Sequence, residues 1–517
     1  MNHIELFAGC GGLSLGLKAE ELNLILANEL SPMAAETFAY NFFKEDLAQD
    51  ITQKETRVLW LSSAYPRSIK RLRENPQQYP KEFVNTDISK ETSLQGKLVV
   101  GDIRQLNILL ENNPELLNNL RTAYGAQGGL DLVSGGPPCQ SFSLAGMRKL
   151  DDDRNTLPWD FAHFVELTQP KFVLLENVGG ILKAFEKDNE KFYAWFEVAK
   201  TFAKIGYVPL SLYINAKYAG VAQNRPRFLL LAIRNDIYSQ LQEHFSDTEK
   251  RLFKKPEALF HAMQNASEMN ISQYEYIDIE KEPSLYAQSF LHPLYIKQDQ
   301  EFFTVADAIG DLMSSEKKPT DFVSNLNNVF KDVLPPHELT NHVLKENSEI
   351  VQRRFRIYQV MNELSPSTRK AISQLLKGSS KTLTDIQCLE IMKYPFLTED
   401  GLKTFTNPDE LLKFILEHPT KKQAQKALVE DEPAPTALSI PDDACHYDIN
   451  HTRTLSVREM ARVQSFPDNF SFRSKVTTGG KSRRFEVPQY TQIGNAVPPL
   501  LGVAIAKVLK NLKNKLD

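Results

Sequence analysis

Only four cysteines occur in the 517 residues, at 10, 139, 388 and 445, with no CxxC pair and no histidine at metal-ligand spacing. That scarcity argues against a disulfide framework and a zinc site, and it fits a reducing compartment. No apolar run approaches the roughly 20 residues a membrane-spanning helix needs. Met1 leads almost directly into IELFAG, without a basic stretch followed by an apolar signal core. A soluble, cytoplasmic protein with no membrane partner is expected. Excess positive charge is missing too: the formal net charge is −4, so any polyanion-binding surface must be local. The candidates are the segment from Arg473 to Arg484, with Lys475, Lys481 and Arg483, and the run Arg353-Arg354-Phe355-Arg356; for each, a solvated face is the bland alternative. An apolar content of 42% suffices for globular folding, and the length exceeds one ordinary core, so two domains are expected.

What is present centres on residues 131–146, DLVSGGPPCQSFSLAG. An apolar, strand-like run breaks into Gly135-Gly136-Pro137-Pro138 and then presents Cys139 among small and polar residues. The prolines fix their own φ and restrict the residue before them, while the glycines admit a ligand close to the backbone. A lone cysteine is by default a small buried hydrophobe. Here Pro-Cys-Gln-Ser-Phe-Ser is a poor core strand and a good exposed turn, which makes Cys139 a candidate nucleophile.

Taken in order, the chain opens with an apolar strand at 3–8 and a glycine turn at Gly9, Gly11 and Gly12, leading into an apolar-periodic helix. Strand, glycine turn and helix form a nucleotide-cradling arrangement. A dinucleotide fingerprint needs glycine at 9, 11 and 14, and Ser14 weakens that form. LILANE is a second strand ending at Glu29, placed to accept bonds from ribose hydroxyls. KLVVGDIRQL supplies a third ending at Asp102, placed to accept from an adenine amino group. Each acid has an alternative as a cap or turn residue.

Residues 44–97 are polar, charged and poor in strand signals, and are expected to form a surface insertion without chemistry of its own. KFVLLENV is a buried strand ending in Glu176-Asn177, and SLYINAKYAGVAQNRPRFLLLAIR gives two strands joined by a turn that carries Arg225 and Arg227. Alternating strands and helices imply a mostly parallel sheet with ligands outside its carboxyl ends. After about residue 236 the alternation dissolves, and 236–450 reads as a separate domain of mixed structure that includes the Pro- and acid-rich DEPAPT. RTLSVREMARVQSFPDNF and YTQIGNAVPPLLGVAIAKVLKNL then restore helical patterns.

With these residues laid out, the sequence resembles the DNA (cytosine-5) methyltransferases of the bacterial restriction-modification type. FAGCGGLSLG, NE, GDI, GGPPCQSFS, ENV, QNRPRF, VREMARVQSFPD and QIGNAVP follow one another in that family's order. The resemblance covers residues 4–234 and again about 453 to the end. It implies an α/β fold, a seven-stranded doubly wound Rossmann-like sheet with helices on both faces. Catalytic residues 1–235 and 451–517 would enclose a target-recognition domain at 236–450. It also implies S-adenosylmethionine as methyl donor, no metal, double-stranded DNA as substrate, a monomer, and a companion restriction endonuclease acting on the same site without stable association. Phe7 would pack on adenine, Gly9 and Gly11 admit the amino-acid part, Glu29 takes the ribose and Asp102 the adenine; Ile103, Gly136, Leu157, Asn495 and Val497 complete the pocket. The long 44–97 insertion, and Ala222 where a proline is frequent, depart from the family pattern.

In this reading the chemistry is addition followed by methylation. Carbon 5 of cytosine is too weak a nucleophile to take a methyl group until Cys139 adds at carbon 6, and an ordinary thiol is only a few per cent thiolate at neutral pH. Addition pushes charge onto ring nitrogen 3, which Glu176 would neutralise, while Arg227, with Arg225 near it, holds the base carbonyl. The cytosine must first leave the stack, and Ser143 and Arg148 would lie on the loop that closes over it. Three rivals are set against this. A tRNA cytosine-5 methyltransferase shares these motifs but carries a Cys-Phe-Thr signature, where this chain has Cys139-Gln140-Ser141. A catalytically silent DNA-binding relative is opposed by intact Cys139, Glu176, Arg225 and Arg227. A nicotinamide-dependent oxidoreductase explains the first turn only.

Overall fold

The computed structural model describes residues 1–49, 56–138, 156–187, 190–295, 301–314, 316–334, 339–422, 425–436 and 438–516. Cys139, Ser143 and Arg148 lie outside the described residues.

The strands are β1 (Asn2–Leu6), β2 (Asn23–Glu29), β3 (Val58–Trp60), β4 (Lys97–Val100), β5 (Leu132–Gly135), β6 (Phe172–Val178), β7 (Phe185–Lys187), β8 (Glu190–Phe192), β9 (Tyr207–Asn215), β10 (Pro226–Arg234) and β11 (Ile277–Asp278), most of them formed by apolar runs. Nine of them form one sheet in the order β11-β9-β10-β6-β5-β1-β2-β4-β3, while β7 and β8 pair apart from it. The strands from β6 to β3 are parallel, and β10 runs antiparallel to both β6 and β9. The order reverses between β1 and β5, so the crevice above their carboxyl ends is where an open α/β sheet binds ligands.

Strand β10 illustrates why the centre reads as unbroken hydrophobicity. Phe228, Leu230 and Ala232 point into one apolar layer, and Leu229, Leu231 and Ile233 into the other. A strand covered on both faces has no polar side to alternate with. One layer is closed by α3 (Ile103–Glu111), α4 (Pro114–Arg121), α5 (Leu157–Thr168) and α6 (Ala194–Lys204), the other by α1 (Gly12–Ala19) and the C-terminal helix Pro499–Lys513, while α2 (Pro32–Phe43) packs on β2 and β4.

The sheet carries an extra strand at each edge beyond the seven expected. At one edge, Val58–Trp60 lies inside the stretch read as an insertion poor in strand signals and pairs in parallel with β4. The apolar run Val58 to Leu61, between Arg57 and Ser62, is too short to carry a period. Around them the insertion is tied together by buried Arg71, which donates to the carbonyls of Tyr65 and Asn85 and pairs with Asp87 at 2.8 Å. At the other edge, β11 joins β9.

Packing also crosses the expected limit at residue 236. The helix Asp247–Gln264 packs on β9 and α6, and residues 252–294 contribute to the apolar layers of the sheet. Residues 305–334 pack with 428–503 in a third cluster, while 355–415 gather their own cluster with Ala427 and Cys445. Among the described residues no single helix is long and apolar enough to cross a membrane.

Candidate active site

The glycine turn after β1 is left-handed at Phe7, Gly9 and Gly11, with φ of 54°, 57° and 94°. Glycine removes the steric cost at two of those positions. The Gly9 N–H donates to Glu29 Oε2 at 2.7 Å and the Ser31 N–H to Oε1 at 2.7 Å, so the carboxylate at the end of β2 is held from two sides. Burial raises the Glu29 carboxyl above its usual range, and those two amides oppose the rise. A Cβ on Gly9 would meet nothing within 4 Å, so the space above the turn is open.

Position 14, where a glycine was wanted, has a physical explanation. The Ser14 hydroxyl donates to the carboxyl of Glu5, buried beneath the turn, and burial pushes that carboxyl up to about 8. Gly12 abuts the Val497 carbonyl, where a Cβ would lie 2.2 Å away, so the C-terminal loop closes directly on the first turn.

Ile103 and Leu157 belong to the apolar layer on one face of the sheet, and partly buried Phe7 packs against that layer. Asp102 follows β4 and serves as the N-cap of α3, accepting from the Arg104 N–H at 2.9 Å and pairing with its guanidinium at 2.6 Å. The cap role that the sequence left open is therefore real. Asn495 ends the helix Gln489–Asn495 with its side chain exposed.

At the carboxyl ends of β5 and β6 a second wall forms. Gly136 faces Glu176 so closely that a Cβ would sit 3.0 Å from Oε2. Glu176 Oε1 lies 2.6 Å from Arg227 Nε, and both side chains are largely buried. Burial drives the Arg227 guanidinium down from its usual range and Glu176 opposes it. Asn177, which the motif ENV contains but to which the sequence assigned no role, donates to the Pro137 carbonyl at 3.0 Å and anchors the loop just before Cys139.

Arg225 makes contacts that the sequence did not foresee. Its side chain is 1% exposed and donates to the carbonyls of Gly494 and Ala496 at 2.7 and 3.0 Å, toward the C-terminal loop. Asn215, unremarked in the sequence, accepts the Arg225 N–H at 2.9 Å. The described cysteines Cys10, Cys388 and Cys445 are buried, and burial pushes each thiol up and away from nucleophilicity. Among the described residues no group of three or more His, Cys, Asp or Glu is arranged to hold a metal ion.

Of the two basic segments, the first is divided. Arg473 pairs with Asp46 at 2.7 Å and Lys475 with Glu486 at 2.5 Å, while Lys481, Arg483 and Arg484 are exposed on a short 3-10 turn. The second is structural: Arg353 pairs with Glu349 and Glu399, Arg354 donates to the His418 carbonyl, and Arg356 donates to that of Pro395.

Comparison with known proteins accords with this geometry. The family described as C-5 cytosine-specific DNA methylase matches residues 1–70 and 95–511, leaving out 71–94 of the insertion. A type II methyltransferase of Desulfomicrobium norvegicum is 26% identical over 98% of this chain and 88% of its own. One from Bacillus paralicheniformis is 27% identical over 99% of both. A third, from Thalassovita gelatinovora, is 28% identical over 74% of this chain and 84% of its own. With nearly its whole length matched, the chain belongs to the C-5 cytosine-specific DNA methylase family.

Proposed function

We propose that this protein methylates carbon 5 of a flipped cytosine within a specific duplex DNA sequence, through a covalent adduct at Cys139, as the modification enzyme of a restriction-modification system. The observation that carries the site is the Glu176–Arg227 pair, 2.6 Å apart, with Glu176 facing Gly136 on the strand end that leads to Cys139. The type II methyltransferase names of the relatives support the modification role; a companion endonuclease would act on the same site without stable association.

S-adenosylmethionine supplies the methyl group. The residues fit it: the space above Gly9 is open, Glu29 is held at its rim, and Phe7, Ile103 and Leu157 offer an apolar wall for a purine. Asp102, Asn495 and Val497 complete the set, with Gly12 keeping the Val497 carbonyl close.

Cys139 adds to carbon 6 of the base. Glu176 meets the charge that develops on ring nitrogen 3, and Arg227 faces the base carbonyl. Both act from a wall with little solvent, where such interactions count for more than in water. Arg225 serves by holding residues 494–496 rather than the base. We place target recognition on the body formed by about 349–428, which has its own core, and assign residues 235–294 to the catalytic fold on which they pack. Base edges in the major groove specify sequence, and a flipped-base pocket cannot read its neighbours.

Substituting Cys139→Ser tests the mechanism. Methyl transfer to duplex DNA should fall to background in a tritium-transfer assay while calorimetry still records binding of S-adenosylmethionine. Near-normal transfer by the serine variant would overturn the covalent route.

A further inference from the structure

The Pro- and acid-rich stretch DEPAPT reads as part of the separate domain of mixed structure, and its residues lie between the helix Val305–Ile309 and the turn that carries Arg225 and Arg227. On one side the Val305 N–H donates to the Glu432 carbonyl at 2.9 Å and the Ala306 N–H to that of Glu430 at 3.0 Å. On the other side the Ala434 N–H donates to the Ala222 carbonyl at 3.0 Å, and the Asn224 N–H to the Ala434 carbonyl at 2.8 Å. Gln223 Nε2 donates to the Pro435 carbonyl at 2.9 Å, and the Thr436 hydroxyl to that of Asn224 at 2.5 Å. Ala222, Gln223 and Ala434 are all buried.

The chemistry of Pro433-Ala434-Pro435 suits this task. Two prolines hold the backbone extended and donate no N–H, so the segment offers a single donor, at Ala434, and that donor meets the loop. Three residues further on, Leu438 and Ser439 press against Gly494, where a Cβ would lie 2.4 Å from that of Ser439. The carbonyls of Gly494 and Ala496 are the ones that Arg225 grips. One strap therefore touches both the arginine turn and the loop of Asn495 and Val497.

We infer that Pro433-Ala434-Pro435 is a positioning element for the base pocket, setting the turn at Ala222 to Asn224 so that Arg227 meets Glu176. The inference rests on the assignment of Arg227 and Glu176 made above. Since the strap continues from the recognition body, it also gives that body a mechanical hold on the catalytic turn.

The test compares Ala434→Pro, which deletes the N–H given to Ala222, with Ala434→Ser, which keeps it, in the full-length protein. Single-turnover methylation is measured at saturating DNA and S-adenosylmethionine and normalised to burst amplitude, alongside both dissociation constants and the melting temperature. Ala434→Pro should slow the methylation rate by about tenfold, the scale of one buried hydrogen bond, with both Kd values within about twofold of wild type, and Ala434→Ser should match wild type. An unchanged rate in Ala434→Pro, an equal loss in Ala434→Ser, or a loss that vanishes on normalisation would overturn the inference. Glu176→Gln separates the two levels. If that variant retains full transfer, the base-pocket assignment fails; if it is inactive while Ala434→Pro is normal, only the positioning role fails.

Discussion

Glu5 and Ser14 show how a residue's meaning depends on what lies beneath it. The serine that breaks the dinucleotide fingerprint holds the carboxyl of Glu5, which burial pushes up to about 8 from an ordinary 4.5. Between those values the folded protein keeps a proton that the unfolded chain releases. Its stabilising effect is complete below 4.5 and lost as pH rises through 8. Glu5→Gln keeps an acceptor for Ser14 and removes the titration, so the melting temperature of the wild type should fall relative to the variant between about pH 4.5 and about pH 8. Parallel melting curves would remove Glu5 from this role. Asp102 belongs to the same scale: its carboxylate caps α3 and pairs with Arg104, and it is the residue proposed to accept from adenine. Asp102→Ala should weaken cofactor affinity more than it lowers turnover at saturating cofactor, and calorimetry beside steady-state rates decides it. Unchanged affinity would take Asp102 out of the site.

Among elements, the packing of α1 on the C-terminal helix brings the two ends of the chain together beneath the cofactor turn. Gly16 sits so close to this partner that a Cβ would lie 2.4 Å from the Pro499 carbonyl and 2.5 Å from Gly502 Cα. Backbone cannot yield as a flexible side chain does, so Gly16→Ala should cost about 1–3 kcal/mol of stability, read as a lower urea midpoint. A variant as stable as wild type would mean that the helices separate freely. Long apolar runs were legible: those of β6, β9 and β10 and the turn between β9 and β10 stand where the sequence places them. The strand at Val58–Trp60 was not, because three residues carry no period and the pairing that makes them a strand comes from β4, about forty residues on.

For the whole molecule the question is which charges face a duplex. A net charge of −4 hides a surface on which Lys481, Arg483 and Arg484 are exposed while their neighbours Arg473 and Lys475 are neutralised by Asp46 and Glu486. Replacing those three with alanine should weaken binding to every sequence and flatten its salt dependence by roughly one log-log unit for each phosphate that is no longer neutralised. Loop exchanges within 349–428 should instead change which sites are methylated. A changed methylation motif in the triple-alanine variant, at unchanged affinity, would reverse this division of labour.

The order of short motifs, the both-face burial of the central strands and the acids at strand ends were determined by the sequence, because each is written in neighbouring residues. Tertiary structure alone decided which charged groups are committed and where the elements after residue 236 pack. Arg225 is the clearest case. Its position beside Arg227 suggests a ligand-binding role, yet its guanidinium serves carbonyls 269 and 271 residues away in the chain. Buried polar groups must be satisfied wherever a partner is found, and local sequence carries no record of a partner that the fold brings in from its other end.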